Sequence, residues 1–412
     1  MTKWTTRRLD DVADFCLGKM LDEKKNRGEP LPYLANLNVR WGEFDLENLR
    51  EMRFEDHERE RYGLKLGDIV MCEGGEPGRC AIWKDNVPGM MIQKALHRIR
   101  PHECLDSRFL FYSFLHRGKM GGFAALFTGS TIKHLPRQNL AKLEINFPQL
   151  PIQKRIADML SAYDELMENN RRRMALLEEA ARQLYQEWFV RFRYPGSASR
   201  LRQGSVGPSE HTRITNGVPA GWTKGVVSDF YDTASGGTPS RKKPEYFTGE
   251  IPWVKTQELP NGFITDTDEK ITEDGLNNSS AKLFPERTVL VALYGATVGE
   301  LGVLAMPAAT NQACCALFPR EARAHYIHAF LFFRENKKKL MSLSAGAAQN
   351  NISQQIIRAY EMVMPTKSLA DAFIESLSPA FDQWLNLHRQ NQKLRAARDL
   401  LLPRLMSGEI AV

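Results

Sequence analysis

Between Pro151 and Tyr194 the apolar residues recur at intervals of three and four, and no Gly or Pro interrupts them. Ile152, Ile156, Met159, Tyr163 and Leu166 make one stripe; Met174, Leu177, Ala181, Leu184 and Trp188 make a second. Asn170 lies four residues from each, so the seam takes an eleven-residue step in place of a pure heptad. The pattern predicts a helix over 151–194, roughly 65 Å long at about 1.5 Å per residue. A helix of that length needs a partner along it. The same rhythm returns from Ser368 to Leu402, ahead of Pro403, through Leu377, Ala380, Trp384, Leu387, Asn391, Leu394 and Leu401, with Arg398 also on the stripe. Pro379 either kinks this helix or marks its start. Two such helices in one chain predict an intramolecular coiled coil; the alternative is that each packs on its own domain. An Asn in each seam costs stability and can fix register.

The segments between the helices carry a different pattern. In residues 1–150, LKLGDIVMC (64–72) reads as a strand entering the turn EGGEPGRC, and MIQKALHRIRP (91–101) as one further strand. Phe109–His116 reads as helical, and 127–148 as a Gly turn, a short helix and a strand. There is no regular βαβ alternation, so the class is α+β, with mixed α/β globules. Residues 195–220, rich in Gly, Ser, Pro and Arg, read as a linker or crossover. Residues 221–366 then repeat the first globule. Trp4-Thr5 returns as Trp222-Thr223, and PYLANLNVRWGEF (32–44) as PWVKTQELPNGFI (252–264). The strand–turn unit at Ile69–Gly75 returns within 289–303, and 127–148 returns at 344–365 with Gly129/Gly346, Gln138/Gln355, Glu144/Glu361 and Pro148/Pro365 in register. The order is globule (1–150), helix (151–194), crossover (195–220), globule (221–366), helix (367–412).

Composition narrows the class. With 412 residues the chain can hold two or three domains, and a net charge of +7 permits a nucleic-acid partner without requiring one. The 6 cysteines show no CxxC pair and no zinc spacing, and His325 and His328 have no carboxylate or Cys beside them, so they read as a surface or core pair. No apolar run approaches a membrane span, and charges in the first twenty residues break any signal-peptide core. A cytoplasmic protein with reduced thiols is expected. Catalytic motifs are missing: there is no Asn/Asp–Pro–Pro–aromatic loop (NFPQ, 146–149, is the nearest), no G-x-x-x-x-G-K-[ST] loop and no nuclease-like carboxylate cluster. The glycine-rich EGGEPG (73–78) stands alone. No cofactor, no metal and no catalytic residue is expected.

At residues 218–259 (VPAGWTKGVVSDFYDTASGGTPSRKKPEYFTGEIPWVKTQEL), 150–189 and 400–410 (LLLPRLMSGEI) the chain resembles the specificity subunit of type I restriction–modification systems. The resemblance implies two target recognition domains at the ends of an antiparallel coiled coil of two long helices. Each domain would read half of a bipartite site on double-stranded DNA. The helices would set the spacer and dock two copies of a methyltransferase subunit, with restriction (translocase/nuclease) subunits joining the complex and no membrane partner. Residues 18–31 lack the GGTPS turn found at 236–240.

Base edges need bidentate donors and acceptors, and phosphates need cations. In the second globule Arg241, Lys242 and Lys243 offer cations on a Gly/Pro-rich loop, or form a solvated basic loop. Gln349, Asn350 and Asn351 offer amides suited to adenine, although Asn351 or Ser353 also suits a helix cap. Lys133, His134 and Arg137 hold the matching stretch of the first globule, where His134 equally suits a structural role. The turns at Gly74–Gly78 and Tyr294–Gly299 either bring backbone close to DNA or serve tight strand reversal. Arg200, Arg202 and Arg213 lie in the crossover. Trp188, Phe189 and Phe192 read as packing residues or as a docking patch. Two other functions compete: a DNA adenine methyltransferase acting by itself, and a coiled-coil scaffold without a nucleic-acid partner.

Overall fold

The structure is a computed structural model, describing residues 4–20, 22, 26–195, 214–215, 217–343 and 351–412. Four helices organise it: α1 (Ser107–Lys119), α2 (Leu150–Tyr185), α3 (Tyr326–Ser342) and α4 (Lys367–Met406). The chain divides into two compact units, Met1–Met167 with Lys393–Val412, and Glu168–Gln392. Both divisions fall inside the long helices, so α2 and α4 each contribute to both units.

The seam of α2 differs from the sequence expectation. Met159 and Leu166 are exposed, and their neighbours Leu160 and Met167 are buried. Ile156, Leu160, Tyr163, Met167, Asn170, Met174, Leu177, Ala181, Leu184 and Trp188 are buried or half-buried and form an unbroken heptad, so there is no eleven-residue step. Asn170 is part of the repeat. The helix ends at Tyr185, and a π-helical turn (Gln186–Val190) closes it, so Arg191–Tyr194 lie outside. Trp188 and Phe189 are buried, and Phe192 packs beside them in the core of the second unit. Helix α4 runs unbroken past Pro379 and Pro403. Pro379 is exposed, on the outer face of the helix.

Polar seam contacts set the pairing as antiparallel. In the first unit the Arg398 guanidinium pairs with Asp164, which also accepts a 2.6 Å bond from the Tyr112 hydroxyl of α1. Arg398 donates to Asp399 as well, and Asp399 pairs with Lys119 of α1. In the second unit Asn170 Nδ2 donates to Asn391 Oδ1 at 2.9 Å.

The two globules share one topology. In the first, strands Ala13–Leu17, Leu96–Pro101, Ile69–Cys72 and Cys80–Ile82 lie side by side in that order. In the second, Tyr231–Ser235, Cys314–Pro319, Val289–Ala292 and Leu301–Leu304 repeat the order, and Gly262–Ile264 extends the sheet. A smaller sheet follows the repeat as well: Leu34 pairs in parallel with Ile92, and Val254 with Thr310. Residues 91–101 are two strands, Met91–Ile92 and Leu96–Pro101, because a turn at Gln93–Ala95 switches the chain between sheets. The first core joins Phe109, Leu110 and Phe114 to Ile156 and Leu160 of α2 and to Leu402 and Leu405 of α4. The second joins Tyr185 and Trp188 to Phe330, Phe373, Phe381 and Trp384.

His328 is buried beside the Tyr231 hydroxyl (3.2 Å), and His325 caps α3 through its ring nitrogen. His328 is thus a core residue, while His325 is half-buried at the start of the helix. Burial pushes His328 down to about 3 and His97 to about 4. Both rings stay neutral in the fold and gain a proton on unfolding below the ordinary value of about 6.5. The unfolded chain then binds more protons, so stability falls as pH drops from about 6.5 towards 4. Urea midpoints at pH 7 and pH 5 should show the loss, and His328→Gln should lessen it in the second unit. Equal midpoints at the two pH values would remove this account.

The Asp164–Arg398 pair gives a second test. Arg398→Ala strands a half-buried carboxylate and should cost about 3 kcal/mol in urea denaturation. The triple variant Tyr112→Phe, Asp164→Leu, Arg398→Met should recover most of it, since no polar group is then left unpaired. A triple variant as unstable as Arg398→Ala would show that packing, not charge, sets the cost.

Candidate nucleic-acid interface

Each globule brings the same three segments together. The first is the single helical turn after a small-sheet strand: Asn36–Asn38 in the first unit, Thr256–Glu258 in the second. The second is the glycine turn after a central strand, where Gly75 (φ 78°) and Gly295 (φ 72°) take left-handed conformations that favour glycine. The third is the loop before the short helices Arg137–Ala141 and Gln354–Ala359. The same bond ties the third segment to the second in both copies: Leu135 N donates to Glu73 O at 2.8 Å, and Ile352 N to Leu293 O at 2.9 Å.

His134 and Asn351 therefore hold equivalent places. His134 bridges Thr128 through paired backbone bonds of 2.9 Å, and its ring covers Gly74, where a Cβ would stand 3.2 Å from Nδ1. Asn351 bridges Tyr294, and its Oδ1 accepts from Gly295 N at 3.4 Å. Neither caps a helix: Ser353 does, accepting from Ile356 N. Gln349 and Asn350 lie outside the described residues, as do Gly346, Arg200, Arg202 and Arg213. Lys133 is exposed next to His134. Arg137 stands at the start of its short helix with its guanidinium 5.2 Å from the Phe15 ring centre, against the sheet. His97, buried and neutral, supports this loop by donating from Nε2 to Leu135 O at 2.8 Å.

The basic loop of the second globule divides. Arg241 is committed: it pairs with Glu269 at 2.5 Å and lies 4.0 Å over the Phe247 ring and 5.1 Å from that of Trp253. Arg241 and Lys255 together hold the Glu269 carboxyl below its usual range against the opposing effect of burial. Lys243 donates to the Tyr246 hydroxyl at 2.9 Å. Lys242 is exposed, with no ion pair among the described residues. The GGTPS turn adjoins the cleft. Gly237 N donates to Thr310 O at 2.9 Å, and Thr238 Oγ1 to Gln312 at 2.6 Å. A Cβ on Gly236 would collide with the Thr310 carbonyl. In the first globule Gly18 makes the same close approach, to the Ile92 and Gln93 carbonyls, and Lys19 N bonds Ile92 O at 3.0 Å. The backbone contact of the GGTPS turn thus persists without its sequence.

In the second globule these segments enclose a cleft of about 730 Å³, lined by Thr256, Gln257, Tyr294, Asn311 and Asn351 with the Gly295 backbone. Sequence reasoning named Asn351 and the Tyr294 turn and passed over Gln257 and Asn311. The signal was there, because Gln257 stands inside the repeat 252–264 opposite Leu37. Among the described residues no helix is long and apolar enough to cross a membrane.

Comparison with known proteins agrees with this arrangement. A family model described as "Type I restriction modification DNA specificity domain" matches residues 1–179 and 219–392. The MjaIX specificity subunit of Methanocaldococcus jannaschii is 22% identical over 99% of this chain and 94% of its own length. The HindI specificity subunit of Haemophilus influenzae is 25% identical over 84% and 87%. The fold is similar to a crystal structure of a type I restriction-modification system S subunit from M. genitalium, with TM-score 0.57, 17% identity, and coverage of 98% of this chain and 96% of that one.

The charges make a testable distinction. Each phosphate contact on B-DNA contributes about −0.9 to the log–log salt slope of binding. Lys133→Ala and Lys242→Ala should each flatten the slope by about one contact. Arg241→Ala should leave the slope unchanged and lower thermal stability, because Glu269 already neutralises it. A flatter slope for Arg241→Ala alone would reverse the assignment.

Proposed function

This chain belongs to the type I restriction modification DNA specificity family, and from that premise we propose how it divides its work. It is the sequence-specific DNA-binding subunit, associating with DNA and with other subunits of the system, and catalysis belongs to those partners. Each globule reads one half of a bipartite site on double-stranded DNA. The paired helices α2 and α4 set the spacer and dock two methyltransferase subunits, with restriction subunits joining that assembly. The observation that carries this reading is the duplicated frame: three segments in the same order, tied by the same backbone bond, with different side chains in each copy. A lone methyltransferase or a scaffold would have no use for two unlike copies of one frame. Lys133, His134 and Arg137 serve the first reader, and Lys242 and Asn351 the second, with Gln349 and Asn350 adjoining. Arg241 and Lys243 hold that loop in shape.

The helices provide the test. Arg193 lies beyond the end of α2, so residues inserted after it leave the helix length alone. Seven residues inserted after both Met167 and Gln392 keep the heptads in phase and lengthen each helix by roughly 10 Å. B-DNA rises about 3.4 Å per base pair. Methylome sequencing of cells carrying this variant should show both half-site sequences unchanged and the native spacing replaced by a longer one. Four residues inserted after Arg193 should keep the native spacing. Full methylation at the native spacing by the seven-residue variant would show that the helices are not the ruler.

A further inference from the structure

We propose that Gln257 is the side chain with which the second globule reads an adenine, through the N6 and N7 atoms of its major-groove edge; this rests on the reading of that globule as a half-site reader. A carboxamide matches adenine in two bonds, its oxygen accepting from N6 and its NH2 donating to N7. Both amide atoms must therefore be uncommitted. Among the described residues, the other amides beside the cleft each have the oxygen already accepting a bond. Asn311 Oδ1 accepts from Ala313 N at 3.2 Å, Asn351 Oδ1 from Gly295 N at 3.4 Å, and Gln312 Oε1 from Thr238 Oγ1 at 2.6 Å. Gln257 is exposed and makes no hydrogen bond among the described residues.

Its backbone is nonetheless fixed. Gln257 sits between buried Thr256 and Glu258 on one helical turn. The Glu258 carboxylate clamps that turn, accepting from Lys255 N at 2.8 Å and from Asp268 N at 2.7 Å. A reader on a rigid turn loses little freedom beyond its own side-chain torsions on binding. The described residues that line the cleft carry no charged side chain. Guanine is read mainly by Arg or Lys and cytosine by a carboxylate, so an uncharged, amide-bearing cleft selects adenine. The first globule lacks the device, with Leu37 at the matching position. The two half-sites are thus read by different chemistry.

The test uses the chain in complex with its methyltransferase subunit and a duplex carrying the split motif found by methylome sequencing. Each adenine of the motif, on either strand, is replaced in turn by 7-deazaadenine, which has no N7 acceptor. One position in one half should weaken binding roughly 10- to 100-fold. In the Gln257→Ala complex that position should become insensitive, while penalties elsewhere persist. Gln257→Glu should shift preference at the same position towards cytosine, whose N4 donates to a carboxylate. If every deaza penalty survives in Gln257→Ala while binding stays specific, the assignment to Gln257 falls and the half-site reading stands. If the complex binds the motif no better than random duplex, both fall.

Discussion

The pairing of α2 with α4 depends on polar groups placed in an otherwise apolar seam. Asp164 and Arg398 meet in the first unit, and Asn170 and Asn391 in the second. A slip of one heptad breaks both pairs: in one direction Asn391 moves to Asp164 and leaves Arg398 and Asn170 without their partners, and in the other Arg398 moves to Asn170 and leaves Asp164 and Asn391 without theirs. An unpaired charge or amide in a packed seam costs more than the correct pair contributes, so the pairs act mainly by penalising wrong registers. The Tyr112 hydroxyl and Lys119 extend the first pair into α1. Helix register and the seating of the first globule are therefore set by one network.

The two units solve the same packing problem with different chemistry. The first globule meets the helices through that charged network over the aliphatic contacts of Leu160, Leu402 and Leu405. The second meets them through rings: Phe373 lies 4.7 Å from Phe189 and 5.4 Å from Trp188, and Phe381 and Trp384 pack edge-on against Phe330. Aromatic packing tolerates small shifts better than a directional ion pair does. Register is enforced most sharply where the charges are.

Much of this was legible in the sequence. The two long helices, the repeat and the α+β class follow from periodicity and self-similarity, which local composition carries directly. Which of two adjacent apolar residues turns inward is not carried that way. Met159/Leu160 and Leu166/Met167 fit a three–four rhythm equally well, and the unbroken heptad appears once Leu160 and Met167 take the places of Met159 and Leu166 beside Asn170. Pro379 misleads for a related reason, since its cost depends on whether the freed carbonyl faces water. The basic loop 241–243 looked uniform in sequence, yet Glu269, Phe247 and Tyr246, contributed from farther along the chain, claim two of its three cations.

The duplicated frame leaves one scaffold free to carry different side chains in its two copies. What both copies keep is backbone: a left-handed glycine in the turn, the bond from Leu135 or Ile352 to the segment before it, and the close approach of Gly18 or Gly236 to a neighbouring strand. None of these depends on the side chains that face the cleft. His134 can stand where Asn351 does, Leu37 where Gln257 does and Gln93 where Asn311 does, without disturbing the frame. The cores beneath are committed to sheet and helix packing, so substitution at the rim costs little stability. A frame held by main chain leaves the side chains at the rim of each copy free to differ without moving that frame.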